Sequence, residues 1–413
     1  MHYILPLIGI VVFLFIAWLM SENRKHIVWR PVVLGMAMVF IFGWALLGTK
    51  FGNTIKEAGG NGITAFIHCA DEGAKAIFNE KLISGASELC CPGLTFLPSL
   101  IFIGSLSAAL YYLGILQFVI RVFAVLVTKV TRISGAEALI SVANMFLGMV
   151  ESPFAVKPYL PRFTRSQLFC MMTCGMASIA GGVMVVYGGM LQKAGTSPGH
   201  LIIASILSVF SAIVISKIIV PETDPETANS FAETSQKEQN GSDANLLDAI
   251  CRGGGEGMSL AINVMAMLIA FSALLALVNL TLGLFGNVGD APLTVQRFFG
   301  WLFAPFAYLM GVPWSECHFA GQLLGEKTIL NEFIAYLDMT NPDNLSQLSE
   351  RSRIILSYAL CGFANFGSLT IMIGGLGSLI PTRRAEIAKL AIPSLVSGTL
   401  AAFITACLAA LFV

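Results

Sequence analysis

Residues 144–158 read "NMFLGMVESPFAVKP" and place one carboxylate, Glu151, beside Pro153 in a chain that is otherwise strongly apolar. Gly148 lies three residues before the acid, so the backbone around it disfavours a regular helix. Irregular backbone at membrane depth is tolerated only where protein buries it or where it lines a watery cavity. An ionisable residue at that depth is costly and indicates a path for a solute or an ion. The stretch therefore predicts the tip of a re-entrant hairpin.

The composition indicates a membrane protein. The chain has 413 residues, of which 56% are apolar and only 12% are charged, and its mean hydropathy is +0.79. Soluble domains carry roughly 25% charged residues. With so few charges we expect lipid to cover the surface. The formal net charge of zero argues against a nucleic-acid partner.

The cysteines and the first apolar run have simple interpretations. Nine scattered cysteines, without the paired spacing of a zinc site, are interpreted as small apolar residues. Residues 3–20 are long enough to span roughly 30 Å of hydrocarbon. Their basic cluster follows the apolar run instead of preceding it, so we expect a retained helix and not a cleaved signal peptide.

The apolar runs predict an all-α polytopic membrane protein of about eight transmembrane helices plus two opposed re-entrant hairpins in an inverted repeat. The predicted spans are residues 3–20, 31–49, 93–113, 166–190, 200–220, 258–285, 352–380 and 384–412. Most Lys and Arg fall in the loops on one side, which the positive-inside rule makes cytoplasmic, so both termini are expected outside.

Four segments do not fit the pattern of spanning helices. Residues 50–92 predict an amphipathic helix at the membrane interface. Residues 221–248 are polar and acidic and predict a flexible cytoplasmic linker. Residues 134–163 and 297–336 are apolar but interrupted by Gly, Pro and Glu, so each predicts a re-entrant hairpin. The first would enter from the cytoplasm and the second from outside.

Two short matches support the inverted repeat. "CGMASIAGG" at 174–182 resembles "CGFANFGSL" at 361–369, and "GMVESP" at 148–153 is loosely similar to "GVPWSE" at 311–316. Interrupted apolar segments at matching positions in two halves indicate the binding site of a transporter. Glu151 and Glu316 would then be two acceptors for one polar ligand. The alternative is that each is a structural acid bonded to broken backbone.

Several motifs together resemble the concentrative nucleoside transporter family, in particular its bacterial NupC-like cation:nucleoside symporters. They are "GMVESP", "MASIAGGV" (176–183), "GVPWSE", "NEFIAY" (331–336) and "ALCGFANFGSL" (359–369). The resemblance implies import of nucleosides by a homotrimer in the bacterial inner membrane, without an enzymatic activity or a cofactor. It also implies a peripheral scaffold and a mobile transport domain.

The resemblance divides the chain into four parts. Residues 1–133 would be N-terminal spans and an interfacial helix of the scaffold. Residues 134–220 would hold the first hairpin and a broken helix. Residues 221–257 would be the cytoplasmic linker with an interfacial helix. Residues 258–413 would hold a scaffold span, the second hairpin, a second broken helix and the last span.

The resemblance also implies which residues bind the nucleoside. Those that would face the nucleobase are Met149, Val150, Glu151 and Val183. Those that would hold the ribose hydroxyls, or pack beside them, are Glu316, Phe363, Asn365 and Ser368. Carboxylates accept short, charge-assisted hydrogen bonds from hydroxyls, and amides both donate and accept.

A sodium site follows from the same resemblance. Asn144 and Ser178 would supply side-chain oxygens, and the backbone carbonyls would come from Asn144, Leu147 and Ile179. Oxygen ligands suit hard cations. The alternatives are that Asn144 merely caps a helix and that protons drive transport.

Two adjacent positions depart from the family pattern. Met149 and Val150 stand where the family usually has Gln followed by Ser or Thr. A group that could bond a base edge is replaced by a soft apolar one. We therefore expect a preference for purine nucleosides or a broad specificity.

Two other classes of function were weighed. An intramembrane enzyme would need a nucleophile–base pair or paired acids, and the only histidine near a predicted hairpin acid is His318, two residues after Glu316. A channel would not need the two-hairpin site that the inverted repeat predicts. A symporter is the favoured interpretation.

Overall fold

The computed structural model describes residues 3–78, 92–157, 159–224, 243–284, 286–288 and 291–413. This part of the chain forms sixteen α-helices, short 3₁₀ turns and one two-stranded ladder, β1 Asn287–Val288 with β2 Ala291–Pro292. The helices are, in chain order, α1 Ile4–Leu19, α2 Trp29–Leu47, α3 Lys50–Lys75, α4 Pro92–Tyr112, α5 Ile115–Thr131, α6 Gly135–Leu147, α7 Arg165–Ala177, α8 Gly181–Lys193, α9 Gly199–Ile219, α10 Leu246–Gly283, α11 Val295–Leu309, α12 Trp314–Ile329, α13 Glu332–Thr340, α14 Glu350–Leu360, α15 Phe366–Leu379 and α16 Arg384–Phe412.

The helices confirm a polytopic membrane protein. Five stretches in the described residues are long and apolar enough to cross a bilayer: α2, the α7–α8 stretch, α9, α10 and α16. Helices α1, α6 and α15 are apolar but shorter. Every run predicted to span is helical, although two of the runs are broken.

Both breaks fall in the predicted spans 166–190 and 352–380. The first separates α7 from α8 and the second separates α14 from α15. The two breaks touch, because the backbone N–H of Phe363 donates to the Ser178 carbonyl at 3.3 Å. A Cβ on Gly362 would lie 2.9 Å from the Ala177 carbonyl oxygen, so this approach needs glycine.

The first hairpin matches its predicted range, residues 134–163. Helix α6 enters and ends at Gly148, whose φ of +90° requires glycine, and short 3₁₀ turns return the chain. A buried ion pair fixes the base of the hairpin: Lys217 on α9 donates to Glu137 on α6 at 2.5 Å. The tip is therefore carried on a well-anchored helix.

The second hairpin lies later in the chain than the sequence indicated. The range 297–336 contains α11, α12 and only the start of α13. The first half of "GVPWSE" forms the turn between α11 and α12, and its second half begins α12. A second turn, Leu330–Asn331, joins α12 to α13, and Asn331 caps α13 by accepting from the Ile334 N–H at 3.0 Å. An Asn cap can break a helix without Gly or Pro, which explains why the pattern missed this tip.

Helix α5 was not predicted. Residues 115–131 contain Arg121 and Lys129, which lower the mean hydropathy, but the helix is amphipathic. Its buried side chains recur every three or four residues: Ile120, Ala124, Val127 and Thr131. It meets α4 at an angle of 76° and packs against α6.

Packing separates two groups of helices. Helices α4 and α10 pack mainly against each other, whereas α1 packs on α16 and α2 packs on α9. Helices α1 and α2 thus contact helices of the hairpin-bearing part of the chain, and the predicted division into scaffold and transport parts stays a prediction. Helix α10 also runs unbroken from Leu246, so no separate interfacial helix precedes it in the described part of 221–257. Most of the predicted linker, residues 225–242, lies outside the described residues.

Candidate functional site

A buried carboxylate stands at the tip of the second hairpin. Glu332 is the first residue of α13 and is only 5% exposed. The Tyr187 hydroxyl donates to its Oε1 atom at 2.7 Å, and the Asn365 side-chain amide donates to its Oε2 atom at 2.8 Å. Tyr187 comes from α8 and Asn365 from the break before α15. The cluster therefore joins the second hairpin to both broken helices.

Asn365 connects the Glu332 carboxylate to the start of α15. It caps α15, because its Oδ1 atom accepts from the Ser368 N–H at 2.7 Å, while its amide nitrogen faces Glu332. The predicted pair of Asn365 and Ser368 is thus brought together, with a carboxylate beside it. This constellation offers an acceptor, a donor and a hydroxyl within one small region.

Neighbouring groups keep Glu332 in place. Lys327, also buried, donates to the Ala359 carbonyl at 2.7 Å and lies close enough to Glu332 to offset part of its charge. The Tyr187 ring stacks on Tyr336 with ring centroids 4.7 Å apart. Buried charges are retained when they are paired and hydrogen-bonded, as here.

The tip of the first hairpin is organised differently. Glu151 is exposed, and among the described residues only its own backbone N–H bonds its carboxylate. The carboxylate folds over Gly148, close to Ala180 at the start of α8. Met149 packs against Gly175 of α7. A γ-methyl of Val150 lies 3.7 Å from the point where a Cβ atom would stand on Gly375 of α15. The predicted tip residues therefore lie next to both broken helices.

Two further predicted residues lie at the breaks. Val183 is in the first turn of α8 and Phe363 is in the break before α15, and both are half-buried against the core. The two breaks are in contact through Phe363 and Ser178, as described above. All the predicted binding residues except one are thus placed on the hairpin tips or beside the breaks.

Glu316 is the exception, and its predicted place beside Asn365 is wrong. It lies in the first turn of α12 and accepts hydrogen bonds from the N–H and hydroxyl of Ser349, both at 3.1 Å. Fourteen residues of helix separate it from Leu330, a distance of about 21 Å. It serves to join the start of α12 to the start of α14.

Glu332 is the acid that the sequence comparison of the two halves missed. The match between the two halves depended on Gly and Pro, and "GVPWSE" contains both residues. The better signal was an Asn directly before an acid at the start of an apolar run, since Asn favours the cap and an acid favours the first turn. "NEFIAY" carries that signal.

Two of the predicted cation ligands, Asn144 and Ser178, lie where the end of α6 approaches the end of α7. The Asn144 side chain lies 2.5 Å from the Ser152 hydroxyl. When its amide is oriented to satisfy all its neighbours, its oxygen accepts a hydrogen bond from the Gly175 N–H at 3.2 Å. Ser178 follows one turn after Gly175 and donates to the Cys174 carbonyl at 2.9 Å. The Asn144 side chain therefore lies against the end of α7, one turn before Ser178.

The backbone at this place presents oxygens. No described residue donates a hydrogen bond to the carbonyls of Leu147 and Ile179, whereas the Asn144 carbonyl accepts from the Gly148 N–H at 3.1 Å. The C-terminal end of a helix carries partial negative charge. An oxygen set at such an end fits a small hard cation.

Three family models match consecutive parts of the chain. Residues 8–81 match the family model described as "Na+ dependent nucleoside transporter N-terminus", and residues 200–410 match the corresponding C-terminus. Between them, residues 93–194 match a model described as "Gate: Nucleoside recognition". The middle match contains the first hairpin and the first break.

Whole proteins and a solved structure are similar as well. The chain is 36% identical to solute carrier family 28 member 3 of Mus musculus over 97% of this chain but 58% of the mouse protein. It is 34% identical to the nucleoside permease NupC of Helicobacter pylori over 98% of this chain and 97% of that protein. CNTnw, solved in an inward-facing substrate-bound state, is 36% identical with a TM-score of 0.89, over 100% of this chain and 98% of that one. From the site and these matches together, the chain belongs to the concentrative, Na+-dependent nucleoside transporter family, a family of transporters and not of enzymes.

Proposed function

We propose that this protein is a secondary active symporter that imports nucleosides on an inward sodium gradient. The observation that carries the proposal is the Glu332–Asn365–Tyr187 cluster at the second hairpin tip, and Glu151, which no described side chain bonds, stands at the first tip. Polar groups converging between broken helices are the arrangement expected of a transporter's solute site.

In this proposal the ribose lies at the second hairpin. Glu332 replaces Glu316 as the acceptor for ribose hydroxyls, with Asn365 and Ser368 beside it and Phe363 packing nearby. A carboxylate already held by two donors still has lone pairs for a hydroxyl. Its fixed orientation suits a ligand whose two hydroxyls have a constant geometry.

The nucleobase lies at the first hairpin. Glu151 is the polar contact there, and Met149, Val150 and Val183 offer apolar surface. Because Met149 and Val150 cannot donate a hydrogen bond, a purine with its larger ring face loses less than a pyrimidine does. This is the basis for a purine-preferring or broad specificity.

Sodium is held between the end of α6 and the first break. Asn144 and Ser178 supply side-chain oxygens, and the carbonyls of Asn144, Leu147 and Ile179 complete the set. The two carbonyls without a donor support this assignment. The second candidate is proton coupling, in which case these oxygens would be structural.

The assembly and location follow the family pattern. We infer a homotrimer in a bacterial inner membrane, with both termini outside. Chemical cross-linking of the detergent-solubilised protein, followed by mass measurement, tests the trimer, and protease accessibility of the termini in intact cells tests the orientation.

One experiment decides the proposal. The purified protein is reconstituted in liposomes, and uptake of radiolabelled adenosine and uridine is measured with sodium and proton gradients imposed separately. We expect accumulation above the external concentration with an inward sodium gradient. Uptake that never exceeds equilibration contradicts a symporter, and full accumulation in sodium-free buffer with a proton gradient favours the second candidate.

A further inference from the structure

The second hairpin carries two acids that the solute cluster does not use. Glu326 lies near the end of α12 and Asp338 lies on α13, two helices that pack against each other, and the two carboxyl groups interact. Glu326 is 7% exposed. Its Oε2 atom is covered and receives no hydrogen bond from the residues that the structure describes. One buried carboxylate oxygen beside Asp338's helix is therefore left without a donor among the described residues.

The cations around this pair are engaged elsewhere. Helices α8, α11, α14 and α15 pack against the hairpin. Their cations, with those of α12, are Lys193, Arg297, His318, Lys327, Arg351 and Arg353.

No ion pair joins any of these six groups to Glu326 or Asp338 in the described structure. Arg297 bonds the Pro292 carbonyl, Lys327 bonds that of Ala359, and both arginines of α14 bond backbone carbonyls. Glu332 is the nearest acid along α13 and is held by Tyr187 and Asn365. The pair thus has no cation to balance two negative charges.

Two carboxylates in contact in a covered site cannot both be ionised without a large cost. A single proton removes the repulsion and gives the covered oxygen its missing hydrogen bond, because a protonated carboxyl group donates. We propose that Glu326 and Asp338 form a proton-binding site shared by the two helices of the second hairpin. This site is independent of which solute or cation the protein transports.

The proton ties the hairpin together just behind its tip. Glu326 precedes Leu330 by one turn, and Asp338 follows Glu332 by less than two turns. With the proton bound, α12 and α13 are joined across the tip. When the proton leaves at alkaline pH, two like charges push the helices apart and move Glu332 away from Asn365. Solute binding then weakens.

Infrared spectroscopy tests the site directly. Purified protein in lipid nanodiscs is titrated with base in sodium-free buffer, and the carbonyl stretch of protonated carboxylic acids is followed. We expect a signal at neutral pH that disappears at alkaline pH and is lost in both Glu326→Gln and Asp338→Asn. The matched control is Asp343→Asn, an exposed acid in the loop after α13, which keeps the signal.

Solute binding by the same samples provides the second readout. Glutamine at 326 can donate to Asp338 without a proton, so Glu326→Gln should lose the alkaline weakening of solute binding that the wild type shows. A signal that persists in both variants, or a pH profile of Glu326→Gln that matches the wild type, overturns the proposal. Loss of the wild-type signal on adding sodium at neutral pH also overturns it, since the pair would then hold a metal cation.

Discussion

The two hairpin tips each present one acid, but in opposite surroundings. Glu332 is buried, accepts from two side chains and follows an Asn cap, whereas Glu151 is exposed and no side chain among the described residues bonds it. A group held before the ligand arrives loses little freedom on binding and selects one geometry. A free group can adapt. If the sugar binds at Glu332 and the base at Glu151, as proposed, the difference predicts strict selection for the sugar and loose selection for the base.

The largest effect is expected at the buried acid. Glu332→Gln should nearly abolish uptake, because the new amide nitrogen must face either the Tyr187 hydroxyl or the Asn365 amide, both of which donate to the acid. Loss of a buried charged partner costs on the order of 2–5 kcal/mol, or roughly 30-fold to several thousandfold in solute affinity. Uptake and binding of labelled adenosine measure it.

The matched control is Glu316→Gln. That acid also stands in the first turn of a helix, but it bonds Ser349 far from the cluster. Uptake should stay within about twofold of the wild type, as is usual for surface substitutions of about 0.5 kcal/mol. Equal loss in both variants would remove the distinction between the two acids.

The exposed acid is expected to matter less. Glu151→Gln removes a charge-assisted bond to the ligand but leaves no buried donor of the protein unsatisfied. Bonds to charged groups contribute about 1.5–3 kcal/mol, so KM should rise roughly 10- to 150-fold. An effect equal to or larger than that of Glu332→Gln would show that the first tip, and not the second, fixes the ligand.

The proposed cation site would sharpen the comparison, since its residues lie behind the first tip. Asn144→Ala and Ser178→Ala should each raise the sodium concentration for half-maximal uptake by about tenfold, as loss of a metal-site partner commonly does. Ser208→Ala, which removes another buried serine hydroxyl, on α9, is the control. Unchanged sodium dependence in all three variants would contradict the assignment.

The smallest effect is expected from the base-facing side chain. Met149→Gln adds a donor and an acceptor, and a new bond to uridine would be worth about 1 kcal/mol, or roughly fivefold in its inhibition constant. Competition by unlabelled adenosine, inosine, uridine and cytidine measures it. Stronger inhibition of the wild type by uridine than by any purine contradicts the proposed preference.

The sequence predicted the helices well because apolar runs of spanning length have few alternatives in a bilayer. It also located both breaks, since "CGMASIAGG" and "CGFANFGSL" carry small residues where regular helices rarely need them. Helix α5 was missed because Arg121 and Lys129 interrupt its apolar run while its buried face keeps the helical period. The mean hydropathy of a run of residues combines the buried and exposed faces and therefore does not detect that period.

The second tip was misplaced for a different reason. Gly and Pro indicate that the backbone turns, but they do not say which turn lies in the centre of the fold. Gly311 makes a tight turn at φ +95° between two helices, whereas Leu330–Asn331 turns without glycine and sits against Gly367 at the second break. Only tertiary contacts show which of these two turns lies in the centre of the fold. The role of Glu332 therefore required the structure.

The hydrogen bond from Phe363 to the Ser178 carbonyl has a thermodynamic consequence. It joins a backbone segment assigned to the cation with one assigned to the nucleoside, so each ligand stiffens the segment that the other must use. Linkage requires reciprocity: if sodium tightens nucleoside binding by about tenfold, the nucleoside must tighten sodium by the same factor. Each ligand is titrated in the presence and in the absence of the other, and the two titrations must give the same factor of change in affinity. If both proposed assignments hold, the 3.3 Å contact between the breaks is a direct link through which the two binding events can be coupled.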